Sequence, residues 1–112
     1  MTEEQWVARL EDELARFVDL VVREFDPVKI ILFGSMAEGK PHLWSDIDIV
    51  VVRETEKDFI ERAMEIRLNF RSITGIDLLV YTPEEFKQMS VERLFFQQEI
   101  LEKGKVLYER PG

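Results

Sequence analysis

Cysteine is absent from this chain of 112 residues, so neither a disulfide framework nor a thiolate metal site is available to it. Histidine occurs once, at His42, in a polar loop where such a residue is ordinarily just solvated. Cations are outnumbered, with 15 Lys and Arg against 23 Asp and Glu and a formal charge of -8. Nonspecific nucleic-acid binding rests on basic surface that neutralises phosphates, so this balance argues against direct nucleic-acid binding. No apolar run approaches the length of a membrane span, and the polar opening Thr2-Glu3-Glu4-Gln5 is unlike a signal peptide. A cytoplasmic location with no membrane partner is the expectation. Five glycines and four prolines are scattered, with no linker, internal repeat or low-complexity segment.

What is present is a hydrophobic fraction of 46%, enough for one domain spanning residues 1–112 to bury its own core. That length is expected to leave no room for a second substrate domain. Thr2 and Gln5 form a capping box for a helix to about Glu24, with Trp6, Leu10, Leu14, Phe17 and Val21 recurring at spacings of three and four. Pro27 ends that helix and launches a strand over Lys29–Phe33. Thr55 and Asp58 can cap a middle helix from Lys57 to about Thr74, stopped at Gly75. Its apolar residues cover two sides, which predicts substantial burial. Thr82-Pro83-Glu84-Glu85 is a capping box with proline at the first helical position, opening a short helix. Ser90 is expected to start another over Val91–Lys103, with Gly104 stopping it before a strand at Val106–Tyr108. One of Phe95 and Phe96 must face away from the core. Helices alternating with strands predict an α/β (α+β) layer, a small mixed sheet packed against helices.

The informative stretch is Ile31–Val52, ILFGSMAEGKPHLWSDIDIVVV. In a strand, alternation puts Asp46 and Asp48 on one side with Val50 and Val52, and Ile47, Ile49 and Val51 on the other. Adjacent ionised carboxylates are costly unless a cation sits between them or water covers them. Magnesium suits such a place, because it takes one or two carboxylates and completes its shell with water and phosphates. Upstream, the strand-to-helix turn at Gly34-Ser35 leaves free backbone N–H groups that suit a phosphate. Downstream, Ile76–Tyr81 alternates again and sets Asp77 at a strand start beside Leu79 and Tyr81. Three carboxylates on two strands, with an anion-binding turn on a third, make a candidate two-metal site for phosphoryl or nucleotidyl transfer. Trp44, two residues before Asp46, could stack on a base or a partner, or close the loop over the core.

GSMAEG, SDIDIVVV and the later IDLLVY together resemble the DNA polymerase beta superfamily of nucleotidyltransferases, and within it the short minimal nucleotidyltransferases. The resemblance covers nearly the whole chain, including the closing ILEKGKVLYE. It implies the polymerase-beta-like nucleotidyltransferase fold, metal binding by Asp46, Asp48 and Asp77, nucleotide binding by Gly34 and Ser35, and a catalytic role for Asp77 at the attacking hydroxyl. It further implies two Mg2+ ions, or Mn2+, ATP as the donor nucleoside triphosphate, and a HEPN-family protein as the partner of an antitoxin. Two alternatives are a module that masks its partner without catalysis, and a small-molecule enzyme of the aminoglycoside-modifying kind. The chain departs from the pattern at the turn, where many relatives carry arginine and this one has Met36 and Glu38; Lys40, Lys29 and Arg53 are the candidate substitutes.

Overall fold

The computed structural model describes residues 1–112. Its order is α1 (Glu3–Phe25), β1 (Lys29–Phe33), α2 (Gly34–Ala37), β2 (Ile47–Val52), α3 (Phe59–Arg67), β3 (Ile76–Tyr81), α4 (Pro83–Glu92), α5 (Phe96–Glu102, a π-type helix) and β4 (Lys105–Glu109). The four strands form one mixed sheet in the order β3-β2-β1-β4. Here β1 is antiparallel to β2 and β4, while β2 and β3 run parallel, joined by the α3 crossover that parallel neighbours require.

Alternation along the strands builds a core on each face. Ile47, Ile49 and Val51 of β2 join Ile76, Leu78 and Val80 of β3 under Trp6, Leu10, Phe17 and Val21 of α1 and Ile66 of α3. On the other face Ile31, Val50 and Val52 pack with Phe96 and Ile100 of α5, flanked by Phe86 and Met89 of α4. Phe96 is fully buried and its neighbour Phe95 is exposed, as the helix geometry requires.

The helix ends follow their caps in part. Thr2 and Thr82 both form complete capping boxes, and Asp58 accepts from Glu61 N–H at 3.0 Å. Two expectations are corrected. The middle helix ends at Arg67, well short of Thr74, because the chain turns so that Phe70 packs edge-on to Phe17 at 5.3 Å. Burial of its apolar surface is likewise partial: Ile66 is buried, but Phe59, Ile60, Met64, Leu68 and Ile73 are exposed. Second, Ser90 starts no helix. Its hydroxyl donates to the Phe86 carbonyl at 2.7 Å inside α4, which runs on to Glu92. The break comes at Arg93, in extended conformation, where the Gln97 side-chain amide donates to the Ser90 and Val91 carbonyls and closes the helix end.

Candidate active site

The parallel pairing of β2 with β3 sets Asp48 directly opposite Asp77, on the face that carries Val50 and Leu79. Asp46 lies one residue ahead of β2, so all three carboxylates gather where both parallel strands begin. On the other side of β2, Asp48 pairs with Phe33, the last residue of β1, which brings the Gly34-Ser35 turn to the same end. The five residues expected at the site are therefore brought together by strand register.

Gly34 has a φ of 75°, a region where side chains are strained, and a Cβ there would overlap the Asp48 carboxylate. Glycine is thus what lets the turn backbone press against the Asp48 carboxylate. Gly75, just before β3, plays the same part for Asp46: its absent Cβ would stand 2.6 Å from Asp46 Oδ1. Gly34→Ala should therefore cost about 2 kcal/mol or more of stability, read as a lowered midpoint in urea, and should displace Asp48. A variant with unchanged midpoint would mean that the turn is not pressed against the strand.

Asp48 is half-buried while Asp46 and Asp77 are exposed. Burial, then a hydrogen bond that the protonated Asp48 carboxyl donates to Asp77, and the negative charges of Asp77 and Asp46, push the Asp48 carboxyl up to about 6. None of the ion pairs in the molecule involves these three carboxylates, so the fold supplies no cation of its own. An all-oxygen, uncompensated and water-accessible donor set fits magnesium or manganese. No three acidic or histidine side chains close around one point as a ready-made cage.

The cations named as substitutes for a turn arginine are mostly elsewhere. Lys29 and Arg53 sit at the opposite end of the sheet, Lys29 against Glu109 at 3.5 Å and Arg53 against Glu65 at 2.9 Å. Lys40 alone lies by the turn, its N–H bonded to the Ser35 carbonyl at 2.9 Å. His42 is exposed and its Nδ1 lies 3.0 Å from the Leu43 carbonyl.

Three further residues hold the site and were not expected there from the sequence, Trp6 being read only as part of the apolar stripe of α1. Ser45 is buried: its Oγ accepts from His42 N–H at 2.8 Å and lies 3.5 Å from Ser35 Oγ, linking the turn to the Asp46 strand. Trp6 Nε1 donates to the Ser45 carbonyl at 2.9 Å, anchoring that strand entry to α1. Glu13, 2% exposed, accepts from the N–H groups of Ile73 and Thr74 at 2.7 and 2.8 Å, fixing the loop that delivers Gly75 and Asp77. Burial alone would raise the Glu13 carboxyl, but hydrogen bonds from Thr74, Ile73 and Ser72 outweigh it and hold it below the usual range. Its signal was legible: Glu13 is a charge within the apolar stripe Leu10, Leu14, Phe17.

The sequence profile of the family described as Polymerase beta, Nucleotidyltransferase matches residues 5–111. A protein of Methanocaldococcus jannaschii, provisionally named a protein adenylyltransferase, is 36% identical over 81 residues, covering 71% of this chain and 77% of that one. The crystal structure of a provisionally named nucleotidyltransferase from Sulfolobus solfataricus, at 1.40 Å resolution, shares the fold. It matches with a TM-score of 0.67 over 95% of this chain and 86% of that chain, at 20% identity. No helix is long and apolar enough to cross a membrane.

Proposed function

We propose that this chain, which belongs to the polymerase beta nucleotidyltransferase family, transfers AMP from ATP to a hydroxyl group on a partner protein. The observation that carries the reading is the register of Asp48 with Asp77 on parallel strands, beside a glycine turn pressed onto Asp48. Asp46 and Asp48 would hold two magnesium or manganese ions, and Asp77 would complete the shell of the second. Such ions, when bound, neutralise the triphosphate and the charge that develops on the leaving pyrophosphate. Gly34 N–H and Ser35 Oγ hold the outer phosphates, where fixed donors meet that charge. Asp77 takes the proton from the attacking hydroxyl, whose oxygen bonds to the α-phosphorus as the bond to pyrophosphate breaks.

A protein acceptor is supported by the relative named as a protein adenylyltransferase. The family resemblance supports a HEPN protein as that acceptor, with this chain as the antitoxin of the pair. One observation favours a second reading, in which the chain only masks its partner: Lys29 and Arg53 are committed to ion pairs at the far end of the sheet, leaving the turn poor in cations.

Intact mass of the partner decides between them. With ATP and magnesium, wild type should add one nucleotide to the HEPN protein, most readily at a tyrosine hydroxyl. Asp77→Asn keeps the side-chain size, so it should still bind ATP and the partner yet add nothing. Neutralisation by wild type without a mass gain, matched by Asp77→Asn, would establish masking instead.

A further inference from the structure

We infer that Trp44 is the stacking platform for the base of the donor nucleotide, an inference that rests on the nucleotide reading of this end of the sheet. Trp44 is 64% exposed and adopts a φ of 68°, a left-handed conformation that costs a large side chain of its size free energy. Neither property is expected of an indole that merely closes a loop over the core, since burial is what an indole gains from that.

The conformation is imposed from three sides. The loop is closed by Ser45 N–H donating to the His42 carbonyl at 3.0 Å and by His42 N–H donating to Ser45 Oγ at 2.8 Å. The Ser45 carbonyl is in turn held by the Trp6 indole N–H. Trp6 also meets the Trp44 ring edge-to-face, with centroids 4.7 Å apart and planes at 61°. That contact steadies the ring while most of it stays in water. The position matters as much as the exposure. Trp44 is bonded to Ser45, whose hydroxyl faces Ser35 of the phosphate turn, and stands two residues from Asp46. The loop that carries this open ring therefore joins the phosphate turn to the carboxylate strand. Every base offers a π-face to such a ring, and a purine offers a larger one than a pyrimidine.

The test uses the full chain with magnesium and two ligands, ATP and inorganic tripolyphosphate. Only two tryptophans are present and Trp6 is buried, so ATP should quench the emission of wild type and leave that of Trp44→Phe nearly unchanged. Trp44→Gly suits the left-handed backbone and should fold at least as well as wild type. It should weaken ATP binding by about tenfold or more while leaving tripolyphosphate binding unaltered, with Trp44→Phe recovering much of the loss. Unchanged ATP affinity in Trp44→Gly would overturn the inference and leave Trp44 to a protein partner. Equal weakening of both ligands would also overturn it, since the loss would then lie at the phosphates. If wild type binds neither ligand, the nucleotide reading itself falls, and the inference with it.

Discussion

Asp48→Asn should make the metal-free protein more stable at pH 7 while reducing nucleotidyl transfer by about a thousandfold or more. Both effects come from one carboxylate. Its ordinary value is 3.8 and the fold pushes it up to about 6, by burial and by Asp77 and Asp46. A carboxyl whose folded value is raised favours the folded state below its unfolded value, and that contribution is lost as pH rises through the folded one. At pH 7 wild type has lost it and holds Asp48 ionised against two other carboxylates. Asparagine removes that charge. Because Asp48 is only half-buried, solvent screening reduces the gain to about 1 kcal/mol, near 5 °C in melting temperature for a chain of this size. The difference between the proteins should narrow as pH falls through about 6 and close near 4, where both side chains are neutral. Magnesium with ATP should reverse the order at pH 7, since the ligands stabilise only the protein that binds them. A variant less stable than wild type across this whole range would show that Asp48 is a structural acceptor and not a ligand held at a cost.

Glu13→Ala should lower stability by about 3 kcal/mol at pH 7. Two backbone N–H groups, of Ile73 and Thr74, lose a buried charged acceptor at once. The pH dependence has the opposite sign to that of Asp48. Glu13 is held below its ordinary 4.5, so its contribution is present above 4.5 and is lost as pH falls through the folded value. Urea midpoints of wild type and variant should therefore differ most near neutrality and approach each other as the pH falls below 4.5. Transfer should fall as well, because the released loop carries Gly75 against Asp46 and leads into Asp77. A midpoint unchanged at pH 7 would mean that this loop is held by its own turns.

The site was legible in the sequence because it depends on local geometry. Asp-x-Asp alternation, a glycine after a strand and an aspartate at the start of the next strand each follow from positions close along the chain. The register that unites them, Phe33 with Asp48 and Asp48 with Asp77, extends the same alternation between strands. What escaped was set by contacts distant in sequence. The helical pattern after Lys57 continues past Arg67, and the helix is ended by Phe70 reaching Phe17 and by Glu13 seizing the backbone sixty residues away. Ser90 carried the composition of a helix cap, yet it lies within a helix whose end is set by Gln97. Ser45 resembled any loop serine until Ser35 and Trp6 closed on it.

The most direct measurement follows the phosphorus. The chain, the proposed HEPN partner and magnesium are incubated with ATP labelled at either the α- or the γ-phosphorus, and the label on the partner is counted. Nucleotidyl transfer at the Asp46, Asp48 and Asp77 end predicts α-label on the partner, γ-label only in released pyrophosphate, and neither with Asp77→Asn. Label from the γ-position on the partner, or α-label undiminished in Asp77→Asn, would contradict the account.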